Sequence, residues 1–314
     1  MADSDPSARP TDAASSLPLR LLADRTAVLV VGLVAGFAVG LGFAPTPSPP
    51  PVVAAAGGIV AAPPSDTTTD PAPAIASQGI DPRVIARVAR TGRIRIGVFG
   101  DSFGVGVWDA LYRLLPESEG FEVLRLGHEA TGFTRYRVID LAAEARKAVA
   151  ADPIDIAVIS LGVNDAQDMW EGKLYTFMSD DWKRVIGARV DAFVAVARST
   201  GASVYWVGLP AMRDPVLDAK VQALNAFFAA HAKALGVPFF ATRARSVDAQ
   251  GHYASHLPDP KTGTPLLIRT GDGVHMIGIG YQRLLPDVVT RIRDEAKRVL
   301  AAAHRPPPVT EKRS

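Results

Sequence analysis

Two short blocks hold the side chains that could do covalent chemistry. Gly100-Asp101-Ser102-Phe103-Gly104 closes an apolar run, IRIGVFG (94–100), and leads into a segment with helical spacing of apolar residues. A serine at such a turn has its hydroxyl exposed. The first amides of the following helix surround it with partial positive charge. Near the other end, Asp272-Gly273-Val274-His275 sets a carboxylate three residues before an imidazole. A serine nucleophile needs a base, and the base needs a group that fixes its tautomer. Three residues in a turn is short enough for Asp272 to reach the Nδ1 side of the His275 ring. Each block also has a structural reading: Ser and Asp are favoured helix caps, and a helix-start Asp beside an unrelated His would look the same.

Two further blocks offer hydrogen-bond donors. Gly162-Val163-Asn164-Asp165 closes the most strand-like run of the chain, IDIAVISLG (154–162). The Asn164 amide is a suited oxyanion donor, because it needs no proton loss or gain; a turn or cap is its structural reading. Ala130-Thr131-Gly132 follows FEVLRLG (121–127). A glycine lets the backbone approach closely and offers its N–H to a developing oxyanion.

The elements that must position these blocks alternate. Strand runs at 94–100, 121–127, 154–162, 203–209 and 237–241 are separated by helical patterns at 105–115, 138–150, 182–200 and 215–235, with a closing helix at 279–303. Pro286 falls inside that last pattern, so its first turns are expected to kink or separate. Alternation of this kind predicts an α/β protein with a parallel sheet covered on both faces. In such sheets ligands bind beyond the carboxyl ends of the strands, where all four blocks fall or can converge.

Taken together, the blocks resemble those of the SGNH hydrolases, also called GDSL esterases and lipases, which supply Ser, Gly, Asn and His in this order. Gly100-Asp101-Ser102 with Phe103 matches the serine block, Gly162-Val163-Asn164-Asp165 the asparagine block and Asp272-Gly273-Val274-His275 the histidine block. Gly132 stands for the glycine block, with Gly127 the alternative. The resemblance spans residues 93 to about 300 and is greatest to an envelope-facing bacterial branch. It implies a flavodoxin-like three-layer α/β/α fold with five parallel strands in the order 2-1-3-4-5. It also implies roles: Ser102 as nucleophile, His275 as base, Asp272 as its orienter. Ser102 and Gly132 N–H with the Asn164 side chain would form the oxyanion hole. The spacing Gly100-x-Ser102-x-Gly104 also fits the nucleophile elbow of α/β-hydrolases. The elbow normally follows several strands and an upstream oxyanion loop, neither of which precedes Ser102.

Asp101, Gln167, Trp170, Arg213 and Arg269 are the candidates to contact substrate. Gln167, Trp170 and Tyr175 lie in a long connection (166–182), a length that is often a binding loop or lid. Arg213 and Arg269 flank the expected site, where an arginine would bind a carboxylate or phosphate; a structural ion pair is the alternative. His252 and His256 are four apart but lack the Glu of a zinc-protease helix, and His128 is expected on a surface loop. No metal or cofactor is expected.

Composition bounds the rest. The 314 residues carry 34 basic and 32 acidic side chains, a net +2, which gives no case for nucleic acid. The chain has no cysteine, which excludes disulfides and thiolate chemistry. Residues 27–44, AVLVVGLVAGFAVGLGFA, are eighteen residues without a charge, long enough as a helix for about 27 Å of hydrocarbon. Arg9, Arg20 and Arg25 precede this run and no basic residue follows before Arg83. The positive-inside rule then puts the N-terminus in the cytoplasm and the bulk of the chain outside it. The expected organisation is a cytoplasmic segment (1–26), a transmembrane signal anchor (27–44), a Pro/Ala/Thr-rich linker (45–79), a hydrolase domain (80–304) and a tail (305–314). A signal peptide cleaved near Ala54–Ala56 is the alternative to the anchor. The function expected is hydrolysis of an O-acyl ester, acetyl foremost, on an extracytoplasmic and envelope-glycan substrate. An O-acyltransferase using the same triad and a non-catalytic envelope scaffold are the alternatives.

Overall fold

The computed structural model describes residues 79–304. The expected cytoplasmic segment, the anchor, the linker up to residue 78 and the tail lie outside the described residues. Among the described residues no helix is long and apolar enough to cross a membrane.

The chain enters through α1 (Pro82–Thr91), which Asp81 caps by accepting from Arg83 N. Then β1 (Ile94–Gly100) leads into α2 (Ser102–Leu114). β2 (Phe121–Arg125), α3 (Leu141–Ala151) and β3 (Ile156–Ser160) follow. Two short strands, β4 (Met169–Trp170) and β5 (Leu174–Tyr175), form a hairpin before α4 (Asp180–Arg198). β6 (Ser203–Val207), α5 (Pro215–Ala234) and β7 (Phe239–Phe240) complete the main alternation. A second hairpin, β8 (His256–Pro258) and β9 (Pro265–Leu267), precedes α6 (Gly278–Leu284) and α7 (Pro286–Ala303).

β2, β1, β3, β6 and β7 make one parallel sheet in that order, which is the expected 2-1-3-4-5 among the five sheet strands. Strand periodicity sorts the core. Ile156 and Val158 face one way, with Phe103, Val107, Leu111, Leu284, Val288 and Ile292. Ala157 and Ile159 face the other, with Leu141, Trp182, Ile186, Phe193 and Phe228. Each β3 side chain from 156 to 159 is thus buried under helices, as a central parallel strand requires. The two faces give the three layers.

The closing pattern separates, as expected, at Pro286, which starts α7 at its first turn. Two expectations shift in detail. The first-block helix begins at Ser102, not 105, because Asp101 caps it. The long connection at 166–182 holds a two-stranded hairpin, and so does the stretch 242–277 before the closing helices.

Candidate functional site

β1 ends at Gly100, and the geometry there admits no other residue. Gly100 has φ +147°, and a Cβ would lie 1.8 Å from the Ser160 carbonyl oxygen of the neighbouring strand. The chain therefore turns hard against β3 before α2 begins. Asp101, not Ser102, is the cap: its carboxylate accepts from Phe103 N at 2.9 Å. Ser102 is left as the first helical residue with its hydroxyl unspent on capping.

That hydroxyl meets the imidazole from the far end of the chain. Ser102 Oγ lies 2.8 Å from His275 Nε2, and His275 Nδ1 lies 2.7 Å from Asp272 Oδ2. An ionised carboxylate can only accept, so Nδ1 carries the proton and Nε2 accepts from Ser102. Asp272 is ionised under all ordinary conditions. Partial burial pushes its carboxyl up, but bonds from Thr270, His275 and Val274 outweigh that and hold it well below the usual range. Its other oxygen, Oδ1, accepts from Thr270 Oγ1, Val274 N and His275 N. Phe103 stacks on the His275 ring, with centroids 5.4 Å apart, and meets Tyr281 edge-on. The residue after the serine thus packs the base from below.

The asparagine block meets the serine block at Asp101, whose Oδ2 takes contacts from Gly162 N and Asn164 Nδ2. Ser102 N–H and Gly132 N–H have no hydrogen-bond partner among the described residues. Gly132 is extended, so its need for glycine is steric: a Cβ would lie 2.6 Å from Asp165 Oδ1. Ala130, two residues earlier, adopts φ +58°, an uncommon conformation for a residue with a side chain. The loop it bends places Thr131 O 2.8 Å from Asn164 Nδ2. The same Nδ2 makes a long 3.3 Å contact to Asp101 Oδ2. Gly127, the alternative glycine, sits instead against the Gly100 backbone.

Two carboxylates lie buried beneath these donors. Asp101 accepts from Phe103 N and, at 3.3 Å, from Gly162 N. Asp165 Oδ1 accepts from Thr134 N and Oγ1, while its Oδ2 has no partner. Burial pushes both up to about 6, against the bonds from Phe103 and Thr134. The roles of Thr131, Thr134 and Asp165 were not visible in the sequence, because each contact joins blocks some 30 residues apart.

Of the five substrate-contact candidates, two are misplaced for that role. Asp101 is 0% exposed, its carboxylate engaged by the loop amides it caps. Arg269 is 1% exposed, donates to Ala211 O at 2.6 Å and Val274 O at 3.2 Å, and stacks over Tyr253. Both are loop ties with no surface for a ligand. Arg213 is exposed, but its guanidinium lies on Gly271 O and Asp272 O at 3.0 and 2.9 Å. Gln167 is exposed and donates to Asn164 O at 2.7 Å. Trp170 is 60% exposed on the first hairpin, and its strand partner Leu174 is also exposed. His128 is exposed and lines a groove of about 370 Å³ with Arg125 and Lys147, outside the Ser102–His275–Asp272 relay. His252 and His256 are exposed too. Among the described residues no cluster of His, Asp and Glu could hold a metal ion.

Fold and site together define the class: a three-layer α/β/α protein whose serine and histidine blocks close a Ser–His–Asp relay at the carboxyl edge of a parallel sheet. The chain belongs to the family described as protein of unknown function (DUF459), whose model matches residues 95–291. No curated protein matches it. Similar solved structures include an aryl esterase from M. smegmatis (18% identity, 64% of this chain and 99% of that one, TM-score 0.44). A GDSL-like lipase from Bacteroides thetaiotaomicron (19%, 69% and 98%, 0.45) and a carbohydrate acetylesterase from Sinorhizobium meliloti (18%, 65% and 100%, 0.44) are also similar.

Proposed function

We propose that this protein is a serine esterase that hydrolyses O-acyl esters through an acyl-Ser102 intermediate. The observation that carries the reading is the relay of Ser102 Oγ, His275 Nε2, His275 Nδ1 and Asp272 Oδ2, closed at 2.8 and 2.7 Å. Ser102 Oγ attacks the acyl carbonyl as its proton passes to His275 Nε2. Ser102 N–H and Gly132 N–H, free of other partners among the described residues, hold the developing oxyanion, and Asn164 shares its long Asp101 contact with it. Such donors are worth about 10²–10³ in turnover each. The C–O bond to the leaving alcohol breaks, and His275 returns the proton to that alcohol. Water then attacks the acyl-serine by the same proton route and releases the acid.

The substrate proposed is an extracytoplasmic ester, with O-acetyl groups on an envelope glycan the favoured class. The support is the uncharged run 27–44 and the basic residues before it, together with the exposed Trp170, a face on which a sugar ring can stack. Gln167, at the edge of the asparagine block, is the proposed polar contact.

The test uses the full-length chain in detergent with p-nitrophenyl acetate and a fluorophosphonate probe. Wild type is expected to turn over the ester and to be labelled at Ser102. Ser102→Ala is expected to lose labelling and about 10⁴–10⁶ of the rate. Equal rates for the two proteins would refute the mechanism. With a glycan acceptor added beside p-nitrophenyl acetate, acetylated glycan as the product in place of free acetate would assign the chain to acyl transfer.

A further inference from the structure

The segment that carries Asp272 and His275 is a loop, yet its backbone has no free carbonyl. Gly271 O accepts from Arg213 Nη1 at 3.0 Å, Asp272 O from Arg213 Nη2 at 2.9 Å, and Gly273 O from Arg213 N at 2.9 Å. Val274 O accepts from Arg269 Nη1 at 3.2 Å, and His275 O from Thr270 N and Oγ1, both at 3.1 Å. Five successive carbonyls are held, three of them by one residue on the loop that follows β6.

Gly273 explains how that residue fits. It has φ +78°, and a Cβ there would lie 2.5 Å from Arg213 Nε and 2.6 Å from Arg213 Cβ. The bare backbone at 273 is what lets the Arg213 side chain lie across the loop. Arg213 has no carboxylate partner among the described residues. Its planar fork meets two neighbouring carbonyls at once, which an ammonium cannot reproduce.

We propose that Arg213 is a positioning residue for the Ser102–His275–Asp272 relay. It acts by clamping the carbonyls of residues 271–273 so that Asp272 Oδ2 stays on His275 Nδ1. This rests on the esterase reading for its kinetic consequence, but not for its structural one. Arg213 touches no reacting atom. It fixes the backbone from which the acid and base project, and misplacement by about 1 Å costs on the order of 10²-fold in rate.

The test has two arms on the full-length chain. In the first, Arg213→Ala is expected to lower kcat on p-nitrophenyl acetate about 10²-fold and leave KM within about twofold, because no substrate contact is removed. Arg213→Lys is expected to fall between, since an ammonium keeps the charge and donors but lacks the planar fork that meets both carbonyls in one geometry. In the second arm, proton NMR reads the low-field resonance of His275 Nδ1–H in its bond to Asp272. That signal is expected in wild type, and broadened or lost in Arg213→Ala and in Gly273→Ala, which pushes the arginine off from the other side. A raised KM with unchanged kcat would make Arg213 a substrate contact and overturn the proposal. So would an unaltered low-field signal in both variants. The NMR arm needs no substrate, so a wild type inactive on esters would refute the esterase reading while leaving the clamp to be judged on its own. Should Arg213→Ala fail to fold, Arg213→Lys decides, and wild-type kinetics with a wild-type signal would overturn the clamp.

Discussion

Asp101 and Asp165 lie against Asn164 and Gly132, both fully buried and both pushed up to about 6 from an ordinary 3.8. The sign of the consequence is the reverse of the usual carboxylate case. Between about pH 4 and 6 the folded chain still holds protons that the unfolded chain has lost. Stability from this pair is therefore greatest below pH 4, falls as pH rises to about 6, and stays reduced above it. Asp165→Asn keeps an acceptor for Thr134 N and Oγ1 and removes the charge. Its unfolding free energy relative to wild type is expected to rise with pH from 4 to 7, reaching about 1–3 kcal/mol. Urea titrations across that range measure it, and a difference independent of pH would refute it. At this scale the convergence of Ser102, Asn164, Asp272 and His275 was legible because each sits in a short block with a local pattern. The buried carboxylate pair was not, because desolvation is a property of what packs on top. Asp101 and Arg269 misled for the same reason: their residue types suit a ligand, and only burial shows that their partners are backbone groups.

The elements were legible wherever periodicity ran long enough to count. All five sheet strands and the long helices fall within a few residues of their patterns. The two hairpins escaped because strands of two or three residues have no period to read. α1, also unforeseen, lies between the linker and the first strand, and its capping signal (Asp81 before Pro82) is local and short. One element is held more tightly than its length suggests. Gly280 in α6 packs so closely on the preceding segment that a Cβ would lie 2.1 Å from Ile268 O, a backbone atom that cannot swing aside. Gly280→Ala must push α6 away from the strand-like stretch that leads through Arg269 to His275. It is expected to cost about 1–3 kcal/mol and to lower kcat together with stability. The exposed neighbour is the control: Ile279→Ala is expected to stay within about 0.5 kcal/mol of wild type. Equal urea midpoints for Gly280→Ala and wild type would show that α6 is free to shift.

At the scale of the whole molecule, the place where the site works is proposed from residues 27–44. The anchor proposed there rests on eighteen uncharged residues: as a helix, such a run would take its apolar side chains out of water and satisfy its backbone bonds internally. Charge placed at its middle opposes both, at about 2.5–3.5 kcal/mol for each arginine. The full-length chain is expected to sediment with membranes and to resist an alkaline wash. Val34→Arg combined with Phe37→Arg is expected to move it to the soluble fraction. The orientation proposed follows from the flanking charges: with Arg9, Arg20 and Arg25 on one side and none before Arg83 on the other, protease added outside the cytoplasmic membrane is expected to reach residues 80–304. Replacing those three arginines by glutamate is expected to weaken that orientation. A chain that stays soluble with its arginines and its apolar run intact would remove the membrane from the proposal. It would leave the ester chemistry of Ser102 standing, because no residue of the relay lies within that segment.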